Sequence, residues 1–253
     1  MEKMRKPFQG VSNIVRFNWH FFVLSIVAIL FILWAKNYFI LYHFYTNILL
    51  FFIITPTLIS LFVSYYVYDF SGLYKLHWLD EMGIFSDKKM LNINAGFDET
   101  SVLLKEKYPN SELIVFDFYD PEKHTEVSIK RARNAYPPYP NTVTINTSKL
   151  PLQDDSIDII FITFAAHEIR NDRERVLFFK ETNRILTKNG NIVVTEHLRD
   201  LPNFLAYNIG FFHFMSKKSW YQTFENAELE IDKEEKITPF ISTFILKKNG
   251  TAS

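Results

Sequence analysis

The sequence predicts an α/β domain with a mostly parallel sheet, preceded by two transmembrane helices. Aromatic and aliphatic residues dominate up to about Tyr68, and charges become frequent after Lys75. Beyond that point short apolar runs alternate with amphipathic stretches, the order expected for parallel strands covered by helices. The chain is therefore divided into a membrane hairpin, residues 1–74, and an α/β domain, residues 75–253.

Composition narrows the classes of function. The 253 residues carry no net charge and no cysteine. A neutral chain lacks the broad basic field that binds a nucleic-acid backbone, so no nucleic-acid partner is expected. The absence of cysteine excludes a disulfide framework, a thiolate metal site and a cysteine nucleophile.

Two uncharged runs predict the membrane hairpin. The first, 17–35, meets the requirement of about 20 residues for one crossing. The second, 38–68, is longer than one crossing needs, so a tilt or a kink at Pro56 is expected. Lys36 and Asn37 make the turn between them. The two helices should therefore be antiparallel, with both outer ends on one face of the membrane.

Basic residues predict which face that is. Lys3, Arg5, Lys6 and Arg16 precede the first span, which places this end, and the α/β domain after the second span, on the cytoplasmic side. Two alternatives stay open. A signal peptide also begins with basic residues before an apolar run, and buried helices of a soluble protein can be uncharged.

The α/β region is predicted to hold seven strands and four helices. The strands are 90–94, 113–117, 142–146, 158–163 and 191–196, followed by an antiparallel pair, 228–236 and 240–247. The helices are 99–107, 121–135, 172–186 and 202–227, with a tight turn at 188–190. Ligands bind beyond the carboxyl ends of the strands in such sheets. Residues just after each strand are therefore the candidates for function.

Four segments in this order resemble class I S-adenosylmethionine-dependent methyltransferases of the small-molecule, type 11-like kind, over about residues 88–198. They are MLNINAGFDE, LIVFDFYDP, LPLQDDSIDIIFITFAAHEI and RILTKNGNIVVTEHLRD. The resemblance implies a Rossmann-like, seven-stranded sheet with an antiparallel final strand. It also implies the cofactor S-adenosylmethionine.

The resemblance also implies a cofactor site. Asp117 stands where the family places a carboxylate that accepts both ribose hydroxyls, and Gly96 belongs to the loop that approaches the cofactor. The full set of expected contacts is Asn92, Asn94, Gly96, Asp117, Asn146, Thr147 and Phe164. Only Gly96 remains of the loop's usual three glycines, because Asn94 and Asp98 replace the others. A non-catalytic membrane adaptor on a degenerate methyltransferase fold is therefore the alternative.

Three histidines and three carboxylates are expected at the edge of the sheet beyond the fourth and fifth strands. His167, His197 and Glu196 are the candidate catalytic residues, because a neutral imidazole can accept a proton from a methyl acceptor. These groups could instead pair with one another and shape the pocket. A metal site is a third reading, but no zinc-protease motif supports it, and no metal is predicted.

The acceptor is expected to be a small, lipophilic molecule. The membrane anchor would concentrate the enzyme where such a substrate partitions. The segment 203–224 is strongly aromatic and suits an apolar acceptor. Trp220, with Lys217 and Lys218, could rest at the level of the lipid headgroups.

Overall fold

The computed structural model describes residues 5–38, 42–83, 88–124 and 126–250. Its N-terminal part is helical. Three helices come first: α1 (Gln9–Phe17), α2 (Trp19–Lys36) and α3 (His43–Tyr65). A π-helical turn, Tyr66–Phe70, continues α3, and a 3₁₀ turn, Leu73–Lys75, leads to α4 (His77–Glu81).

A seven-stranded sheet follows, as the sequence predicted. Its strands are β1 (Lys89–Asn94), β2 (Glu112–Asp117), β3 (Val143–Thr144), β4 (Ile157–Thr163), β5 (Leu186–His197), β6 (Leu229–Thr238) and β7 (Ile241–Lys248). Their order is β3-β2-β1-β4-β5-β7-β6, and β7 runs opposite to the other six strands. Strand order reverses between β1 and β4, so their carboxyl ends frame the crevice where such sheets bind ligands.

Helices cover both faces of the sheet. They are α5 (Ser101–Lys107), α6 (Val127–Ala135), α7 (Asp172–Ile185), α8 (Leu201–Tyr207) and α9 (Lys217–Asn226). Asn171 caps α7, since its side chain accepts hydrogen bonds from the backbone N–H groups of Arg173 and Glu174. A 3₁₀ segment, Asn208–His213, separates α8 from α9.

Four boundaries differ from the prediction. The expected turn at 188–190 lies inside β5, where a Cβ on Gly190 would come within 2.8 Å of the Asp158 carbonyl oxygen. Glycine thus lets the chain continue along β4. The expected helix 202–227 is broken after Tyr207, because Asn208 has a φ of 51°. The third strand shortens to two residues, and the helix expected from Pro121 begins at Val127.

The two predicted spans correspond to α2 and to α3 with its π-helical turn, while residues 39–41 lie outside the described residues. Both helices are long and apolar enough to cross a membrane, by length and composition. No residue of α2 is buried, and α3 continues through Pro56. At its far end the second helix packs on the α/β domain, where Val63, Val67 and Leu73 share a buried cluster with Ala206 and Ile241.

Trp220 corrects one expectation. Its side chain is fully buried and stacks on Phe224, with ring centroids 5.7 Å apart. It therefore belongs to the core under α9 and cannot rest among lipid headgroups.

Candidate functional site

The loop after β1 is shaped by two asparagine side chains. Asn94 Oδ1 accepts a hydrogen bond from the N–H of Gly96 at 3.0 Å, and Asn94 Nδ2 donates to the Phe116 carbonyl at 3.1 Å. Gly96 has a φ of 96°, and a Cβ there would lie 2.9 Å from Arg133 Nη1. Glycine is thus required at this position for both conformation and space. Asn92 Nδ2 donates to the Ser101 hydroxyl at 2.8 Å.

Asp98 has a role that the sequence analysis missed. Its Oδ1 accepts hydrogen bonds from the N–H groups of Thr100, at 3.0 Å, and Ser101, at 2.9 Å. A carboxylate here satisfies free donors at the start of α5 and favours its dipole. An acidic residue shortly before a helix is a recognised capping signal, so the sequence contained the information. Both Asn92 and Asp98 therefore build the loop itself.

Asp117 ends β2 and is 4% exposed. Its Oδ1 accepts a hydrogen bond from the N–H of Tyr119 at 2.8 Å, and its Oδ2 pairs with Arg133 Nη1 at 2.5 Å. The Arg133 guanidinium also lies over the Tyr119 ring, 4.3 Å from its centroid. Arg133 thus occupies the acceptor oxygen that a ribose hydroxyl would use.

Two cavities lie at the carboxyl ends of the strands. The smaller, of about 70 Å³, is lined by residues that include Asn94, Glu99 and Phe164. The larger, of about 510 Å³, is lined by residues that include Asn146 and Thr147. Of the predicted cofactor residues, Asn94 and Phe164 line the smaller cavity and Asn146 and Thr147 the larger, whereas Asn92, Gly96 and Asp117 line neither.

The residues suit S-adenosylmethionine in kind. A buried carboxylate at the end of β2 can accept hydroxyl donors, and the backbone at Gly96 allows close approach. Asn146 is exposed, and Thr147 is buried with its hydroxyl donating to Glu174 at 2.6 Å. The site is blocked at Asp117, because Arg133 must release this carboxylate before a ribose can bind there.

Glu99, at the mouth of the smaller cavity, was missed altogether. Its Oε1 pairs with Arg5 at 2.9 Å, and its Oε2 accepts a hydrogen bond from the Tyr74 hydroxyl at 2.8 Å. Burial raises the pKa of Glu99 while Arg5 and Tyr74 oppose that rise. Its partners are distant in sequence, so no local pattern could reveal them. The contacts tie the N-terminal segment to the cofactor loop.

The structure brings His167, Glu168 and His213 together at the carboxyl end of β4. His167 Nδ1 lies 2.6 Å from Glu196 Oε2, and the Glu196 side chain is fully buried at the end of β5. Glu168 Oε1 is 3.3 Å from His167 Nε2 and 3.3 Å from His213 Nε2. The predicted pairing of groups at this edge is thus observed for His167 and Glu196, while Glu168 and His213 complete the cluster.

The charges in this cluster determine its protonation. Burial alone would lower the pKa of His167, but the carboxylates of Glu196 and Glu168 raise it to about 10. The pKa of His213 is also raised. Burial alone would lower it, but hydrogen bonds to Glu126 and Glu168 raise it. At neutral pH and without another cation, His167 therefore carries a proton, and in that form it is a hydrogen-bond donor and cannot serve as the predicted base.

His197 has different surroundings. Its ring lies between Phe164 and Phe214, with centroids 5.1 and 4.8 Å away. Nδ1 is 3.0 Å from the Phe240 carbonyl oxygen, and Nε2 is 2.7 Å from the Tyr68 hydroxyl. Burial lowers its pKa to about 4, so the ring is neutral and both nitrogens are satisfied inside the protein. These contacts assign it to packing between the hairpin and the sheet.

A comparison with protein families finds that residues 94–194 match the methyltransferase domain family. No protein with a curated description matches the chain.

Solved structures share the fold. An S-adenosylmethionine-dependent methyltransferase from Aquifex aeolicus is 16% identical with a TM-score of 0.53, covering 76% of this chain and 97% of that one. A putative type 11 methyltransferase from Sulfolobus solfataricus is 14% identical with a TM-score of 0.50, covering 71% and 94%. The [4+2]-cyclase SpnF is 12% identical with a TM-score of 0.51, covering 70% and 80%.

The predicted enzyme class, an S-adenosylmethionine-dependent methyltransferase, and its cofactor are confirmed at the level of this domain. At such low identities the structural likeness by itself shows the fold. The cyclase illustrates that this fold also serves other reactions. The acceptor must therefore be argued from the chain's own residues.

Proposed function

We propose that the protein is a membrane-anchored S-adenosylmethionine-dependent methyltransferase that acts on a small, lipophilic acceptor from the cytoplasmic face of the membrane. The observation that carries this proposal is the docking of the second membrane helix on the candidate site. Tyr68, at the end of that helix, donates a hydrogen bond to His197 at the end of β5. Tyr74, a few residues later, donates to Glu99 beside the cofactor loop.

The apolar surface beside the hairpin supports a lipophilic acceptor. Helix α8 packs against α3. Along α8 and the 3₁₀ segment after it, Leu201 is 67% exposed, Ile209 82% and Phe212 62%. Contiguous exposed apolar surface marks a membrane or ligand interaction site. Together with the exposed faces of α2 and α3, this surface suits an acceptor that reaches the domain from the lipid phase.

Different residues of the chain would bind the cofactor and position the acceptor for methyl transfer. The cofactor, when bound, supplies an electrophilic methyl group. Asp117 and the backbone at Gly96 would hold it at the ends of β1 and β2. In the absence of a bound cation, His167, fixed by Glu196, would donate a hydrogen bond to the acceptor, so that positioning supplies much of the rate. His197 is enclosed by Tyr68, Phe164 and Phe214, so it is not proposed to accept a proton from the acceptor.

Transfer from methyl-labelled S-adenosylmethionine into an organic extract of membranes tests the proposal. The full chain in phospholipid vesicles should place label in the organic phase, and Asp117→Ala should lose that label. Label confined to water-soluble products would contradict the lipophilic acceptor. No label in any product, despite cofactor binding, would favour the adaptor on a degenerate fold.

A further inference from the structure

The cluster of His167, Glu168 and His213 has the geometry of a metal site. Each residue offers one ligand atom, and the three atoms lie within 4.8 Å of one another. Two of the three separations are 3.3 Å. Ligand atoms about 2.0–2.2 Å from a tetrahedral zinc ion stand roughly 3.3 Å apart. A charge-assisted hydrogen bond is shorter, at about 2.7–2.9 Å.

The groups around the two histidines carry an excess of negative charge. Three carboxylates, those of Glu126, Glu168 and Glu196, contact the two imidazoles, with Glu126 Oε1 2.9 Å from His213 Nδ1. One guanidinium, Arg170, also contacts His213. With both rings neutral, two negative charges remain uncompensated. Either two protons or one divalent ion would balance them.

Glu196 orients the ring of His167, the candidate metal ligand that follows β4. Its buried carboxylate accepts from the Nδ1–H of His167, which leaves the Nε2 lone pair directed at the other two ligand atoms. A carboxylate behind a metal-bound histidine is the usual way in which proteins fix ring orientation and tautomer. The backbone N–H of His167 also donates to Glu196, at 3.2 Å.

We propose that His167 Nε2, Glu168 Oε1 and His213 Nε2 bind a divalent first-row transition metal ion such as Zn²⁺. Imidazole with carboxylate suits these metals better than Mg²⁺ or Ca²⁺. Three protein ligands leave a coordination position open. Glu168 also lines the cavity of about 510 Å³, so an oxygen donor in that cavity can reach the ion.

Arg170 gives the proposal a sharp test. Its Nη2 contacts both ring nitrogens of His213, Nδ1 and, at 2.8 Å, Nε2, so a cation bound to Nε2 requires this positively charged group to move. It is partly exposed and can swing away. Arg170→Ala should therefore bind the ion more tightly than the wild type, whereas a purely structural ion-pair cluster would only lose contacts.

The experiment is a Zn²⁺ titration of the full chain, purified without a polyhistidine tag, stripped with chelator and held in detergent. One ion per chain is expected, with about two protons released when the imidazoles are protonated beforehand. His213→Ala and Glu168→Gln should weaken binding at least tenfold. His77→Ala, an exposed histidine outside the cluster, should leave it unchanged.

Co²⁺ in place of Zn²⁺ supplies a second readout, a visible absorption spectrum typical of low coordination number. Absence of stoichiometric binding in the wild type, or equal binding in His213→Ala, would overturn the proposal. Cofactor binding is measured on the same preparations. Loss of the metal with intact cofactor binding would therefore leave the methyltransferase proposal untouched, and the reverse result would leave the metal site standing.

Discussion

The ends of β4 and β5 place two buried histidines in opposite surroundings. His167 lies among carboxylates, with Glu196 at 2.6 Å, and its pKa rises to about 10. His197 lies between two phenylalanine rings with neutral partners, and its pKa falls to about 4. His167, in the turn after β4, thus carries a charge, while His197, the last residue of β5, is a neutral ring. The difference teaches that the environment, and not the residue type, assigns the role.

The largest expected effect comes from removing the counter-charge of His167. Glu196→Ala leaves a buried imidazolium without its nearest carboxylate, which should lower the free energy of unfolding by about 3–5 kcal/mol. Denaturant titration in mild detergent measures this. Glu230→Ala on β6, which is exposed, is the control and should change stability by less than about 0.5 kcal/mol. An equal, small loss in both variants would contradict a charged His167.

The pH dependence of stability tests the neutral state of His197. Its pKa is about 4 in the folded protein and 6.5 in the unfolded chain, so only the unfolded chain gains this proton between those values. The stabilisation that comes from keeping His197 neutral is therefore complete above pH 6.5. As pH falls toward 4, it is lost, which lowers the free energy of unfolding by up to about 3 kcal/mol.

His197→Gln should remove that dependence, so its stability should fall less steeply than that of the wild type between pH 6.5 and 4. His77→Gln, at an exposed histidine, is the matched control and should keep the wild-type slope. Parallel slopes in wild type and His197→Gln would show that His197 does not resist protonation.

Tyr68→Phe sharpens the comparison at the hairpin. The change leaves His197 Nε2 buried without its donor, which should cost about 1–2 kcal/mol of unfolding free energy. Tyr45→Phe, on the exposed face of the same helix, is the control and should be neutral. If both variants are neutral, the hydrogen bond does not couple the second long helix to the sheet.

Asp117, like His167, is a buried group whose partner sets what it can bind. Its Oδ2 is held by Arg133, which a cofactor bound as proposed would displace. Arg133→Ala should therefore tighten S-adenosylmethionine binding, by about fivefold or ~1 kcal/mol for a partly exposed ion pair. Lys130→Ala, on the same helix and exposed, should leave affinity unchanged. Weaker binding in Arg133→Ala would mean that this guanidinium supports the ligand.

Apolar runs predicted the sheet, because a buried parallel strand requires continuous apolar residues whatever its partners. The same reasoning placed Asp117 and Glu196 at strand ends. It failed where contacts depend on distant segments. The sandwich around His197 needs Phe164 and Phe214 from two loops, and Glu99 meets residues of the N-terminal segment.

Short-range errors had local causes. Gly190 resembled a turn but serves close packing between β4 and β5, and Asn208 breaks a helix that its aromatic neighbours favoured. In the sequence, Asp98 stood in place of a glycine of the usual cofactor loop. In the structure, its side chain caps α5. A lost family motif therefore does not by itself indicate a lost site.

Calorimetric titration of S-adenosylmethionine into the detergent-solubilised chain, with Asp117→Ala alongside, tests the central claim most directly. Saturable binding that weakens at least tenfold in Asp117→Ala is the expected result, because in the proposed site the ribose hydroxyls bind this buried carboxylate. Absence of binding at millimolar cofactor, or equal binding by both proteins, would contradict a methyltransferase that uses this site.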